Sequence, residues 1–220
     1  RLMVGGDLRQ FYTHAEFTGK TRVFELRKLR TRRYPAQVVS FDIGEGEIVG
    51  MAGLVGAGRS EVAEAICGVD TPLEVTILLD GQPLSIRSPR DAVQHGIYLV
   101  PEDRRQNGLI AESGIRENIT LPALRQYASM GWVHVSREVQ AASAICDKLG
   151  VRAPSVETKV VHLSGGNQQK VVLAKWLSLD PKVLIFDEPT RGIDVGAKVE
   201  IYQLMRNLAE RGIAILMISS

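Results

Sequence analysis

At 220 residues the chain is long enough for one α/β domain with a smaller inserted lobe and a sizeable buried core. Its 27 Lys and Arg against 25 Asp and Glu leave a net charge of +2, with no electrostatic footprint for nucleic acid as a partner. No run approaches the roughly 18 apolar residues of a membrane span and the N-terminus lacks a secretory pattern, so membrane association must come through a partner.

Residues 1–20 carry scattered aromatics, three glycines and no sustained period, and read as a linker or the tail of a preceding segment. A chain that starts on Arg1 and ends inside an apolar strand has the look of a piece of something longer. Strand patterns run from Thr21 to Leu26 and from Val38 to Ile43; the turn at Gly44-Glu45-Gly46 then leads into a third strand, Ile48 to Ala52.

The next stretch, Gly53-Leu54-Val55-Gly56-Ala57-Gly58-Arg59-Ser60, has the G-x-x-x-x-G-x-S spacing of a phosphate-binding loop, with a strand before it and helix formers from Glu61 to Cys67 after it. Gly53, Gly56, Gly58, Arg59, Ser60 and Glu61 are the candidate nucleotide-binding residues, and Ser60 is a candidate Mg²⁺ ligand. The usual Lys is replaced by Arg59, whose planar, forked guanidinium differs from a compact ammonium and does not fit the same phosphate geometry. The plainer alternative is a strand-turn-helix corner with glycines for tight packing.

A strand through Leu79, a turn at Asp80-Gly81 and a short helix with Ser88 as N-cap, Pro89 as its first residue and Gly96 as its stop lead to the apolar strand Ile97 to Val100. Pro101-Glu102-Asp103-Arg104-Arg105 follows, and Asp103, Arg104 and Arg105 read individually as a solvated charged loop. Helical patterns cover Ile115 to Ile119, Leu121 to Tyr127 and Ser136 to Leu149, the last with Ser136 as N-cap and Gly150 as stop. Tyr127 and Trp132 suit either contact with a partner or packing within this lobe. Cys67 and Cys146 sit in apolar helical settings and read as reduced core residues; His14, His95, His134 and His162 have no metal constellation around them.

Leu163-Ser164-Gly165-Gly166-Asn167-Gln168-Gln169-Lys170 is a Ser-Gly-Gly turn entering a helix that runs from about Asn167 to Leu179. Such a turn offers free backbone N–H groups and the positive end of a dipole, so its natural ligand is an anion such as a phosphate. After Asp180-Pro181 comes Val183-Leu184-Ile185-Phe186-Asp187-Glu188, a buried strand ending in two acids. Asp187 is placed to hold a hydrated Mg²⁺ and Glu188 to orient an attacking water. A long helix from about Val195 to Glu210, stopped at Gly212, precedes the last strand, Ile213 to Ile218.

Together these motifs resemble the Walker A loop, signature motif and Walker B strand of the ATP-binding-cassette ATPases, and Pro189 to Asp194 resembles their D-loop. The combination is similar, over essentially the whole chain, to the second cassette of the tandem ATPases that drive bacterial monosaccharide importers of the ribose, xylose and galactose type. The resemblance implies an α/β phosphate-loop ATPase core with an inserted α-helical subdomain over about 103–160 and an antiparallel β subdomain. Residues 1–20 then become the tail of a first cassette, and 21–220 a nucleotide-binding domain truncated at its C-terminus. It also implies ATP and Mg²⁺. The partners it implies are the first cassette of the same polypeptide, transmembrane permease subunits and, indirectly, a periplasmic or extracellular sugar-binding protein, at the cytoplasmic face of the inner membrane.

In roles carried over from the family, Glu188 is catalytic; Ser60, Asp187 and Glu102 hold metal; Ser164, Gly165, Gly166 and Gln168 form the signature; and Asp194 is the acid of the D-loop. Three positions depart together: Arg59 for Lys, Glu102 for the family's Gln and Ser220 for its switch His. The domain therefore looks like a good donor of a signature motif and a degenerate owner of a nucleotide site. A non-hydrolysing, nucleotide-sensing half is the alternative. A cassette ATPase of DNA repair or translation would carry long heptad coiled coils or basic arms, and neither is seen. Tyr34 and Phe24 are candidates to stack on adenine, or else packing residues.

Overall fold

The computed structural model describes residues 21–220, and the expected tail over 1–20 lies outside them. The chain order is β1 (Arg22–Arg30), β2 (Val39–Gly44), β3 (Ile48–Ala52), α1 (Arg59–Ile66), β4 (Glu74–Leu79), β5 (Gln82–Leu84), α2 (Pro89–Gln94) and β6 (Ile97–Val100). It continues through α3 (Ile115–Thr120), β7 (Ala128–Ser129), β8 (Trp132–Val133), α4 (Val135–Leu149), α5 (Gly165–Leu177), β9 (Val183–Asp187), α6 (Val195–Glu210) and β10 (Ala214–Ser219).

The centre of the fold is a parallel sheet in the order β3-β10-β9-β6. All five residues of β9 are buried, as a strand covered on both faces requires. Its side chains alternate between two cores. Val183 and Ile185 face α1 and the second sheet, whereas Leu184 and Phe186 face the helical side with α4, α5 and α6. Strands β6 and β10 divide the same way, with Ile97 and Leu216 on the first side, Tyr98 and Ile215 on the second.

The second sheet is antiparallel, β2-β1-β4-β5, and its inward residues Phe24, Leu26, Leu29 and Ile43 are fully buried. Strands β4 and β5 form a hairpin on a two-residue turn, Asp80 and Gly81, both at positive φ as that tight turn demands.

The lobe between β6 and α5 starts with a wide π-helical turn, Arg104–Gly108, capped by Asp103 Oδ1 at 2.9 Å from the Arg105 amide. Two expectations are corrected here. The segment Leu121–Tyr127 is a 3₁₀ helix kinked at Ala123, because Pro122 in its first turn supplies no amide to a longer ladder. Helix α4 begins one residue before Ser136: His134 is the flanking residue and its side chain makes no cap, bonding instead to Ser129 Oγ. Gly150 ends α4 in the left-handed region, as read. Inside the lobe the carboxylate of Glu138, 3% exposed, is satisfied by Arg116 at 2.9 Å and Thr120 at 2.5 Å, tying α3 to α4. Trp132 is 79% exposed on the β7–β8 hairpin, so it packs nothing within the lobe.

Lys175 on α5 joins lobe to core: its Nζ donates to Gly108 O at 2.5 Å and lies 4.7 Å from the Trp176 ring centroid. Burial pushes its pKa down to about 8. An unfolded lysine keeps its proton to about pH 10, so unfolding takes up a proton between those limits and stability rises with pH there. Buried Cys67 and Cys146, whose pKa values are raised, work in the opposite direction. The expected outcome is therefore differential: from pH 8 to about pH 10 the protein gains stability relative to its Lys175→Met variant, measured by urea denaturation across that range.

Candidate nucleotide-binding site

The loop from Gly53 to Gly58 connects β3 to α1, and Gly56 and Gly58 take φ of 81° and 87°, so only glycine adopts them without strain. Gly58 caps α1 with no side chain, leaving the first amides of the helix without a side-chain acceptor. Tyr34 lies over the loop: its hydroxyl donates to Gly56 O at 2.5 Å, and a Cβ on Gly58 would lie 2.7 Å from its ring. Arg33 covers the ring 5.7 Å from its centroid and pairs with Glu61 at 2.7 Å. Phe24 is fully buried on the inward face of β1, so of the two candidates for adenine only Tyr34 stands at the loop.

A cavity of about 1020 Å³ opens here, lined by the loop, Asp187, Glu188, Ser219 and Ser220, and by Glu102 and Arg191 on its far edge. Asp187 is buried at the end of β9, and its Oδ1 has no hydrogen-bond partner. Its pKa is raised, first by burial and then by Glu188, against a hydrogen bond from Ser60. Glu64, which the sequence reading missed, has its pKa raised by burial and by Glu61, Asp187 and Asp70. A triphosphate entering among these acids needs a cation with it. The orphaned Oδ1, on a carboxylate that also bonds the Ser60 hydroxyl, fits Mg²⁺, the metal expected there. No cluster of three or more His, Cys, Asp or Glu suited to a metal occurs among the described residues, so protein ligands alone make no cage.

The other two acids are already held. Arg59, which lines the cavity, is engaged within it: it pairs with Glu188 at 3.7 Å and donates to Ser219 O. The two side chains are only 11% and 16% exposed. Glu188 itself sits at φ 44°, its amide donating to Ile218 O at 3.1 Å. Glu102, expected on the metal, forms an ion pair with Arg191 in this structure.

The signature residues lie away from this cavity; none of Ser164, Gly165 or Gly166 lines it. Helix α5 starts at Gly165, two residues earlier than read, with Ser164 as N-cap accepting from the Asn167 amide at 3.4 Å. Gly166 has no room for a side chain, because a Cβ there would lie 2.8 Å from Ala197 Cβ. Gln168 points inward, 4% exposed, with its Nε2 donating to Val160 O at 3.1 Å. Asp194 caps α6, accepting from the Ala197 amide at 2.9 Å.

A phosphate loop between a parallel strand and a helix, faced by acids at the end of a buried strand, defines a nucleotide-binding domain of the phosphate-loop class. The family described as ABC transporter matches residues 36–191, and the chain belongs to it. The ribose import ATP-binding protein RbsA of Geobacillus kaustophilus is 46% identical over 220 residues, all of this chain and 44% of its own length. The xylose import ATP-binding protein XylG of Burkholderia cenocepacia is 44% identical over 226 residues, again all of this chain and 44% of its own. The chain thus spans less than half the length of these relatives. A nucleotide-free ATP-binding cassette from an ABC transporter superposes with a TM-score of 0.76 at 20% identity, covering 90% of this chain and 81% of that one. The dimeric structure of a bacterial ABC transporter cassette gives 0.73 at 23% identity, over 89% and 87%.

The loop geometry yields a paired test. Gly58→Ala meets both a left-handed φ and the Tyr34 ring, whereas a Cβ on Gly50 has nothing within 4 Å. Strain of about 1–3 kcal/mol predicts about a tenfold or greater loss of affinity for a fluorescent ATP analogue in Gly58→Ala and none in Gly50→Ala, read by equilibrium titration.

Proposed function

We propose that the chain is one cassette of an ATPase that energises import of a monosaccharide or related polyol through a membrane permease, and that it serves chiefly as donor of the signature motif. Its own cleft holds a second nucleotide that is hydrolysed slowly or not at all. The observation that carries this reading is the Arg59–Glu188 ion pair: the residue that should contact phosphate instead neutralises the one that should orient water. The names of the relatives, ribose and xylose import ATP-binding proteins, support the sugar and the direction of transport.

In this reading a first cassette of the same polypeptide binds ATP, and the Gly165 and Gly166 amides with Ser164 close on its γ-phosphate. Preorganised amides at a helix start stabilise the charge that grows as the phosphoryl group passes to water. In this chain's own cleft, Ser60 and Asp187 are the residues that would hold Mg²⁺, which supplies neutralising charge to the phosphates. Arg59, engaged with Glu188 and Ser219 O, withholds a base from any water there. No helix among the described residues is long and apolar enough to cross a membrane, and we assign the domain a peripheral place on the cytoplasmic face, under permease subunits that a sugar-binding protein serves from outside.

A groove of about 470 Å³ between α2 and the 3₁₀ segment offers the permease a seat. Exposed Leu121 and Leu124 line it together with Arg90 and Arg125, a surface suited to an apolar segment bearing carboxylates. The same Arg59–Glu188 pair favours a second reading, a regulatory half that binds nucleotide without turning it over; comparing ATP binding with turnover separates the two.

The decisive measurement is steady-state ATP hydrolysis by the intact polypeptide with its permease. Glu188→Gln is expected to keep the rate within about threefold, and Gly166→Ala to lower it by about a hundredfold. A collapse in Glu188→Gln would make Glu188 a working catalytic residue and overturn the reading. Reversing the groove charges with Arg90→Glu and Arg125→Glu is expected to reduce sugar uptake into vesicles by about tenfold or more while nucleotide binding stays unchanged.

A further inference from the structure

Arg104 makes contacts that the nucleotide cleft does not explain. It stands in the π-helical turn at the start of the lobe, yet its guanidinium reaches two other elements. Nη1 donates to Arg191 O at 3.0 Å and Nη2 to Gly192 O at 3.3 Å, both in the loop after β9. Nε donates to Gln168 Oε1 at 3.4 Å, in the first turn of α5. A Cβ built on Gly165 would lie 2.7 Å from Nη2 and 3.2 Å from Gly192 O, so the glycine is what lets the guanidinium and the loop carbonyl approach the helix start.

The setting is a costly one. Burial pulls the Arg104 pKa down, and Arg105 beside it does the same. A cation at a helix N-terminus also opposes the helix dipole, so α5 alone gives no reason for it to be there. Two carbonyls and an amide oxygen offset that cost, and together they fix the loop and the helix relative to each other. Arg191 closes the circuit: while its carbonyl accepts from Arg104, its own side chain reaches back to Glu102, two residues before Arg104.

We propose that Arg104 is a positioning residue for hydrolysis at the partner's ATP: it clamps the Arg191–Gly192 loop against the first turn of α5 and so holds the Gly165 and Gly166 amides in the orientation that receives the γ-phosphate. The planar fork is the reason for Arg, since a lysine ammonium has no rigid geometry with which to address two consecutive carbonyls and Gln168 at once. Lost orientation lowers the rate of the chemical step and leaves ATP capture by the partner's own phosphate loop intact. The inference rests on the signature-donor reading above.

The test uses the intact polypeptide with its permease and compares Arg104→Gln, Arg104→Lys and Gly166→Ala with the parent. Arg104→Gln is expected to lower kcat by about tenfold with KM for ATP within about twofold, and Arg104→Lys to fall between it and the parent. Binding of a fluorescent ATP analogue and the thermal midpoint stay at parental values in both Arg104 variants. An unchanged kcat in Arg104→Gln overturns the proposal, as does a loss of kcat matched by a fall in the thermal midpoint and in analogue binding. If Gly166→Ala also keeps full turnover, it is the signature-donor reading that has failed; if Gly166→Ala is dead while Arg104→Gln is not, the failure belongs to Arg104 alone.

Discussion

A strand buried on both faces can carry charge only where it leaves the core, and β9 does so at Asp187 and Glu188. Everything near the cleft follows from how those carboxylates are compensated. Asp187 stays inside, with the Ser60 hydroxyl on its carboxylate and its Oδ1 without a partner. Glu188 turns out on a left-handed residue and meets Arg59. A nearly enclosed carboxylate needs a partner because an unpaired buried charge is strongly destabilising. Arg59 of the loop is that partner, and its fork also reaches the Ser219 carbonyl. The loop glycines at 56 and 58 hold left-handed backbone, and the arginine that follows them pairs with Glu188.

Arginines govern the other half of the molecule as well. Arg191 occupies Glu102, Arg104 clamps the loop after β9 to α5, and Arg116 neutralises Glu138 between α3 and α4. Each joins elements distant in sequence, and the Arg116 contact meets a carboxylate, that of Glu138, which is buried. Lys175, bound to Gly108 O across the root of the lobe, does similar work with a single donor. The lobe is thus fastened to the core at its first turn by Arg104 and Lys175, both directed at or from the signature helix. A change at the edge of the cleft, where Arg191 and Glu102 meet, has a short covalent and hydrogen-bonded path to the amides at the start of α5.

The fold is largely legible in the sequence, for physical reasons that differ by element. Strands β6, β9 and β10 announce themselves as short apolar runs because both of their faces are covered. Glycine at 56, 58, 81 and 150 marks left-handed backbone, and Ser88 with Pro89 marks a helix start; all four glycines and that cap are where the pattern puts them. The pattern fails where two local signals compete. Pro122 inside an apolar helical period gives a 3₁₀ segment, and Ser136 reads as a cap although the chain enters α4 at His134. Nothing along the sequence separates Trp132 from Tyr127; burial does, with Trp132 out in solvent.

By itself, the order of residues determined the class of the protein. A glycine loop between strand and helix, a Ser-Gly-Gly helix start and an apolar strand ending in two acids are local features, and each is specified by residues adjacent along the chain. Tertiary structure alone decided what the charged side chains do. Arg59 is one residue from Ser60 but acts on Glu188 and Ser219, Glu102 is claimed by Arg191, and Arg104 acts on carbonyls more than eighty positions away. Long flexible cations select partners by distance and desolvation in the folded chain, and no spacing rule along the sequence encodes that choice.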